Sequence, residues 1–305
     1  MGSKKVGFIG LGSIGKPMAR NILKKGFELH VLDVRPEPMK DFEAQGAKIS
    51  RSPKELASQV YVVINMVPGP RETREVVFAK DGLIEGLRPG SILIDMSTGS
   101  PTLTREIARR LEEIGCKMID APVSGGIPNA EKGTLTIMAG GDAGALDQCR
   151  DVLGCMGSEI IHMGGNGLGH AMKLVNNMVC QTEVVSFCGA LALGTQAGID
   201  LNKIFEVLGR STGNSYMFQY KGPRILRRDF EPGGSVDIAF KDLNLATTLA
   251  RELGVPLPLP NIALEVYQEA KAVGLSKKDN TVIITLFERY LGRKIADPPQ
   301  PIGQK

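Results

Sequence analysis

Histidine is scarce in this sequence of 305 residues, and its cysteines form no recognisable motif. The three histidines, His30, His162 and His170, include no His-Glu-x-x-His pattern, which leaves little basis for a zinc enzyme or a histidine-based triad. The five cysteines are odd in number and include no Cys-x-x-Cys pair, so we expect reduced thiols in a cytoplasmic protein. The sequence therefore predicts no metal site and a chemistry that uses another residue type.

A strong excess of charge and a long apolar run are also missing. Lys and Arg number 37 and Asp and Glu number 33, a formal net charge of +4 that does not favour a nucleic-acid partner. No stretch reaches the roughly 18 to 20 uninterrupted apolar residues of a membrane span. Glycines interrupt the apolar residues after Lys4 and Lys5 before a signal-peptide core could form. We therefore expect no membrane partner.

Strand-like and helix-like segments alternate from residue 5 to about residue 160, a pattern typical of a doubly wound, largely parallel sheet. Predicted strands cover residues 5–9, 28–32, 60–66, 91–95, 117–120 and 134–139. Predicted helices cover residues 15–25, 35–45, 71–77, 102–114 and 143–153.

The pattern becomes wholly helical after a glycine cluster at residues 164–169. A helical period runs from residue 170 to about 198, and shorter helices are predicted at 202–208, 236–252, 260–272 and 281–291. The tail, residues 296–305, is expected to be loose. We predict an α/β domain over residues 1–165 and an all-α domain over residues 166–305, joined by the long helix.

A glycine-rich turn between the first predicted strand and helix points to a dinucleotide. The Gly-x-Gly-x-x-Gly pattern there is made by Gly10, Leu11, Gly12, Ser13, Ile14 and Gly15. Such glycines permit a tight turn, close approach of a pyrophosphate and close packing of helix on strand, as in Rossmann-type domains. Asp33, at the end of the second strand, can accept hydrogen bonds from ribose hydroxyls and favours NAD over NADP. Arg35 leaves NADP open, because a guanidinium can receive a 2′-phosphate.

Three further segments end predicted strands, where ligands bind in open α/β sheets. Met66, Val67 and Pro68 follow one strand, and Thr98 follows the next, so both segments are candidates to line the cofactor. A later loop contains Ser124, Gly125 and Gly126, whose hydroxyl and backbone N–H groups suit a carboxylate. Each segment can also be explained as an ordinary turn.

Lys173 is the candidate acid–base group, and a second lysine, Lys241, is a further candidate site residue. Lys173 is predicted at the start of the long helix, with Asn176 and Asn177 on the same face. There the helix dipole and partial burial would lower the pKa of the lysine. Lys241 lies beside Asp242 in a later helix. From spacing alone, a solvated surface position is the favoured interpretation of both lysines.

Five of these segments, in order, resemble the β-hydroxyacid (3-hydroxyisobutyrate) dehydrogenase family over nearly the whole chain. They are residues 7–15 (the dinucleotide fingerprint), 120–126 (the substrate loop), 133–138 (the next strand), 167–177 (the catalytic helix) and 240–243 (the late lysine motif). The resemblance implies NAD-dependent hydride transfer to or from a small β-hydroxy acid or its semialdehyde, in a homodimer or homotetramer.

The resemblance also implies a role for each candidate residue. Lys173 would be the general acid/base, and Asn177 would bind substrate beside it. Ser124, Gly125 and Gly126 would hold the substrate carboxylate. Met66, Val67, Pro68 and Thr98 would contact the cofactor, over which Lys241 would close.

The substrate and two other functions stay open at this point. Residues 212–218 and 235–238 resemble the sugar-acid branch, such as threonate dehydrogenases, and the polar pair Asn214 and Ser215 would suit extra hydroxyls. Alternatives are a catalytically silent NAD-binding protein and a decarboxylase similar to the 6-phosphogluconate enzymes. The presence of Lys173, Asn177 and Ser124 argues against the first, and the short helical half argues against the second.

Overall fold

The computed structural model describes residues 5–296, in which the first half is built on one nine-stranded sheet. The strands are β1 (Lys5–Ile9), β2 (Glu28–Leu32), β3 (Lys48–Ile49), β4 (Val62–Asn65), β5 (Ile92–Asp95), β6 (Lys117–Asp120), β7 (Val123–Ser124), β8 (Leu135–Gly141) and β9 (Gly157–Gly164). The helices of this half are α1 (Gly15–Lys24), α2 (Pro36–Glu43), α3 (Pro53–Gln59), α4 (Pro70–Phe78), α5 (Pro101–Glu112), α6 (Gly126–Lys132) and α7 (Ala143–Leu153).

The sheet has the strand order β3-β2-β1-β4-β5-β6-β8-β7, with β9 paired to β8. The first six strands in this order are parallel, and β8 pairs antiparallel with β6 and β7. The order 3-2-1-4-5-6 is that of the Rossmann fold, in which a ligand lies at the carboxyl edge beside the switch from β1 to β4. The predicted fold class is confirmed.

Successive residues of the central strands pack into two different apolar cores, one on each face of the sheet. Phe8 and Ile64 belong to one core, while their neighbours Ile9 and Val63 belong to the other. All four side chains are buried, because helices cover both faces of a parallel sheet. This double burial holds the strand ends, and therefore the loops that follow them, in fixed positions.

The second half is helical and has its own core. Its helices are α8 (Leu168–Gln196), α9 (Leu201–Arg210), α10 (Tyr216–Leu226), α11 (Val236–Glu252), α12 (Pro258–Ala272) and α13 (Ile284–Leu291), with a 3₁₀ turn at Asn280–Ile283. Tyr267 is fully buried in this core, and its hydroxyl donates to the carbonyl of Gln181 at 3.2 Å. The chain divides into two compact units, and the boundary along the sequence falls between Lys173 and Leu174.

Most predicted elements are present within one or two residues of their expected bounds, but six were missed. The missed elements are β3, β7, β9, α3, α6 and α10. The helix predicted at residues 281–291 begins as the 3₁₀ turn and becomes α-helical only at Ile284. Residues 297–305 of the predicted loose tail lie outside the described residues.

Helix α8 has 29 residues and contains an 18-residue window with a mean hydropathy of 1.3, so it is long and apolar enough to cross a membrane by length and composition. The prediction of no span rested on the absence of an uninterrupted apolar run, and Lys173, Asn176 and Asn177 do interrupt the apolar residues of α8. Core helices of water-soluble proteins meet the same two criteria. Length and composition therefore do not distinguish the two settings.

Candidate active site

The glycine-rich turn joins β1 to α1, and two of its three glycines are required by close contacts within the protein. Gly10 has a φ of +96°, and a Cβ there would lie 2.2 Å from the carbonyl oxygen of Met66. A Cβ on Gly15 would lie 2.0 Å from the carbonyl oxygen of Gly10, so the helix packs directly on the turn. A Cβ on Gly12 would meet nothing within 4 Å. The turn is therefore closed on the sheet side and open at Gly12, which fits a pyrophosphate.

Asp33 follows β2 and lies directly beside this turn. Its Oδ2 accepts the N–H of Leu11 at 2.6 Å, and its Oδ1 accepts both the backbone N–H (2.9 Å) and Nε (3.2 Å) of Arg35. Burial alone would raise the pKa of the Asp33 carboxyl, but the hydrogen bonds from Arg35 and Leu11 outweigh it and lower the pKa. The group is thus a fixed carboxylate. It can still accept from a ribose hydroxyl, because two carboxylate oxygens offer about four acceptor positions.

Buried polar side chains connect the carboxyl ends of β4 and β5. Asn65 donates from Nδ2 to Asp95 Oδ1 at 3.0 Å, and the backbone N–H of Val67 donates to Ser97 Oγ at 3.0 Å. Asn65, Asp95 and Ser97 are all at most 1% exposed. This network fixes the two loops that contain the predicted cofactor contacts Met66, Val67, Pro68 and Thr98.

The first turn of α8 is anchored to the end of β6 by Asp120, which is fully buried. Asp120 Oδ1 accepts the N–H of Gly167 at 2.8 Å, and Oδ2 accepts the N–H of His170 at 2.9 Å. Burial raises the pKa of Asp120, while His170 and the two N–H donors act in the opposite direction. A Cβ on Gly169 would lie 2.4 Å from the carbonyl oxygen of Asp120, so only glycine permits this approach.

Lys173 is the sixth residue of α8, which begins at Leu168, and the expectation that the helix starts with this lysine is wrong. The helix starts earlier because Asp120 satisfies N–H groups of its first turn. Lys173 therefore lies beyond the first turn, within which the dipole effect falls off. The side chain is partly buried.

The loop predicted to bind a carboxylate is a turn between β7 and α6. Ser124 pairs with Thr136 on β8, and α6 begins at Gly126. Gly125 has a φ of +134° and Gly126 a φ of +69°, conformations that exclude most side chains. Their backbone N–H groups and the Ser124 hydroxyl therefore remain close together, within the same unit as the glycine-rich turn.

Asn177 and Lys241 lie in the second unit, where Asp242 connects them. Asn177 donates from Nδ2 to Asp242 Oδ2 at 2.6 Å, and Asn176 Nδ2 donates to Asn177 Oδ1 at 3.0 Å. Lys241 Nζ lies 3.1 Å from Asp242 Oδ1. Because a carboxylate only accepts, it orients the Asn177 amide with its nitrogen toward Asp242. Asp242 and Asp120 each have a positioning role that the motifs alone did not reveal.

Comparisons with known proteins identify the family to which the chain belongs. Residues 5–165 match the family model for the NAD-binding domain of 6-phosphogluconate dehydrogenase. Residues 167–287 match the one described as NAD-binding of NADP-dependent 3-hydroxyisobutyrate dehydrogenase. The chain belongs to the β-hydroxyacid dehydrogenase family. It is an NAD-dependent oxidoreductase of the hydroxy-acid dehydrogenase class.

Curated relatives cover almost the whole chain. A 2-(hydroxymethyl)glutarate dehydrogenase of Eubacterium barkeri is 34% identical over 96% of this chain and 98% of its own length. An L-threonate dehydrogenase of Cupriavidus necator is 35% identical over 93% of this chain and 96% of its own length. The mitochondrial 3-hydroxyisobutyrate dehydrogenase of Rattus norvegicus is 34% identical over 90% of this chain and 84% of its own length.

Solved structures give the same result. A 3-hydroxyisobutyrate dehydrogenase of Mycobacterium tuberculosis, solved with L-serine, has a TM-score of 0.86 and 32% identity, covering 93% of this chain and 99% of that one. The Salmonella typhimurium 3-hydroxyisobutyrate dehydrogenase has a TM-score of 0.84 and 32% identity, covering 93% and 100%. The predicted family, enzyme class and NAD dependence are confirmed.

Proposed function

We propose that this enzyme interconverts a small β-hydroxy acid and its carbonyl form, with Lys173 as the general acid/base. The observation that carries the proposal is the anchoring of the first turn of α8 to Asp120 at the carboxyl end of β6, because Lys173 follows His170 by three residues on the same helix. NAD supplies hydride acceptance, and its reduced form supplies hydride donation. Lys173 Nζ would take the hydroxyl proton in oxidation and return it to the carbonyl oxygen in reduction.

We propose cofactor contacts along the turn after β1 and the loops after β2, β4 and β5. The contacts are Gly10, Leu11, Gly12, Ser13, Ile14, Gly15, Asp33, Met66, Val67, Pro68 and Thr98. The open face of Gly12 supports this assignment, as does the hydrogen bond that keeps Asp33 beside Leu11. Lys241 would add a contact from the helical domain. The domains are proposed as residues 1–165 and 166–305.

The substrate carboxylate would bind to Ser124, Gly125 and Gly126, which offer a hydroxyl and two backbone N–H groups as donors. Asn177 would bind a substrate oxygen, with its amide oriented by Asp242. These side chains would hold the acid while Lys173 moves the proton. We propose substrates of the 3-hydroxyisobutyrate, glycerate or threonate type.

The polar pair predicted to favour sugar acids has structural partners. Ser215 caps α10 by accepting the N–H of Phe218 at 3.1 Å, and Asn214 Oδ1 accepts Gln219 Nε2 at 2.9 Å. The preference for extra hydroxyls therefore has no support from these two side chains. The curated relatives act on several hydroxy acids at nearly equal identity to this chain, so the substrate type must be measured.

A homodimer or homotetramer in the cytoplasm is part of the proposal. Helix α8 exposes a row of apolar side chains, with Met172 38%, Val175 48% and Val179 48% exposed. Contiguous apolar surface of this kind is typical of a protein–protein interface. A second copy of the chain would cover it.

The test is a panel of substrates, and turnover of each is measured by the absorbance of reduced nicotinamide. Oxidation of 3-hydroxyisobutyrate, glycerate, threonate and serine would be assayed with NAD and with NADP. We expect turnover of at least one acid with NAD and no release of carbon dioxide. Stoichiometric carbon dioxide would support a decarboxylase instead, and NAD binding without turnover of any acid would support a silent binding protein.

A further inference from the structure

We propose that His170 is a positioning residue, whose imidazole fixes the helix that carries Lys173 to the loop around Thr98. The inference rests on the proposed role of Lys173 and extends it to a side chain that touches neither substrate nor cofactor. His170 is fully buried, so it cannot reach a ligand directly. All the contacts that support the proposal lie within the first compact unit.

Both ring nitrogens of His170 have partners on other elements. Nε2 lies 3.1 Å from the backbone carbonyl oxygen of Ser97, and Nδ1 lies 2.6 Å from Thr104 Oγ1 on α5. A carbonyl oxygen only accepts, so Nε2 carries the proton and donates it. Nδ1 shares a hydrogen bond with the Thr104 hydroxyl, which also donates to the backbone carbonyl of Ser100 at 3.0 Å. The partners thus hold the imidazole ring on both sides.

The loop around Thr98 leaves no freedom for the ring. A Cβ added to Gly99 would lie 2.5 Å from His170 Cε1, so the ring packs directly on the backbone of this loop. Ser97 in turn accepts the N–H of Val67 through its side chain, at 3.0 Å. His170 therefore connects α8 to two residues that flank Thr98, and through Ser97 to the loop after β4.

The connection reaches Lys173 because the two residues lie three positions apart on one helix. The N–H of His170 is also held by Asp120, so this residue is fixed through both its backbone and its side chain. Rotating or shifting the first turn of α8 would break these bonds together. His170 thus sets where Nζ of Lys173 can lie relative to the cofactor-binding loops.

The primary test compares His170→Leu with His170→Gln. Leucine retains apolar bulk but offers neither hydrogen bond, whereas glutamine offers one donor and one acceptor. We expect His170→Leu to lower kcat by about 10- to 100-fold, because misplacement by about 1 Å costs that much, with little change in NAD affinity. We expect His170→Gln to recover most of the loss.

The matched control is His30→Leu, the same substitution at a buried histidine on β2 of the same unit. His30 contacts Glu28 at 3.3 Å and is expected to tolerate the change without loss of kcat. Thr104→Val removes the partner of Nδ1, together with the hydrogen bond from the Thr104 hydroxyl to the Ser100 carbonyl oxygen, and should give a smaller loss than His170→Leu. It also provides a milder variant if His170→Leu folds poorly. An unchanged kcat in both folded His170→Leu and Thr104→Val would overturn the proposal.

A double-mutant cycle with Lys173→Ala separates positioning from general damage to the site. If His170 acts through Lys173, His170→Leu should lower the residual rate of Lys173→Ala very little. Losses that simply multiply would contradict the proposal. A Lys173→Ala enzyme with a normal rate would instead refute the proposed role of the lysine, so the two failures are distinguishable.

Discussion

Exchange of Asp33 for serine should change the cofactor preference, and the size of the change can be calculated from the hydrogen bond that the carboxylate would make to a ribose hydroxyl. A hydrogen bond between a ribose hydroxyl and a carboxylate is worth about 1.5–3 kcal/mol, and 1.4 kcal/mol corresponds to about a factor of ten. Asp33→Ser should therefore lower kcat/KM for NAD by about 10- to 100-fold. Serine keeps a short hydroxyl near the N–H of Leu11, which limits damage to the turn.

The same exchange should raise activity with NADP, because it removes a carboxylate that repels the 2′-phosphate and releases Arg35. In the wild-type enzyme Arg35 Nε lies 3.2 Å from Asp33 Oδ1. Without that partner the guanidinium can pair with the phosphate. The double variant Asp33→Ser with Arg35→Ala should lose this gain.

The assay is the initial rate of nicotinamide reduction over a range of NAD and NADP concentrations with a saturating hydroxy acid. The control is Asp147→Ser, the same exchange at an exposed aspartate paired with Arg150 on α7. A wild-type preference for NADP, or an unchanged preference in Asp33→Ser, would refute the reasoning.

Three further predictions concern packing, orientation and acid stability. Gly15→Ala should abolish NAD binding, measured by calorimetry, because its Cβ would lie 2.0 Å from a backbone oxygen of the turn. Asp242→Ala should raise KM for the hydroxy acid about tenfold by freeing the amide of Asn177, and an unchanged KM would contradict this. The pKa of Glu28 is lowered from 4.5 to about 2, chiefly by the hydrogen bond from Lys48. The Glu28 carboxylate therefore stabilises the fold at a pH above its pKa in the unfolded chain, and this stabilisation is lost as the pH falls toward 2. In Glu28→Gln, the free energy of unfolding measured by acid titration should depend less on pH over this range.

Much of the sheet and most long helices were predictable because apolar periodicity reports burial directly. The short elements were not. Helix α6 contains glycine and proline and spans only seven residues. Strand β9 exposes most of its side chains, and its sequence pattern alone does not identify it as a strand. Helix α10 was missed because Pro223 lies inside it, although Ser215 is a cap signal visible in the sequence.

The candidate site was predictable where a motif has a local steric cause, as in the glycines of the turn. It was not predictable where residues distant in sequence meet. Asp120 and His170 are 50 positions apart, and no spacing rule connects a buried carboxylate to a helix that begins so far along the chain. The same holds for Asn177 and Asp242, which are 65 positions apart. Buried polar pairs of this kind depend on tertiary packing.

We propose that Lys173 moves the proton while NAD binds independently of it. The most direct measurement compares Lys173→Ala with Lys203→Ala, an exposed lysine on α9, for both turnover and NAD affinity. We predict that Lys173→Ala loses about 100- to 10,000-fold in kcat with an unchanged Kd for NAD, while Lys203→Ala retains both. A folded Lys173→Ala enzyme that binds NAD and turns over at the wild-type rate would contradict the account.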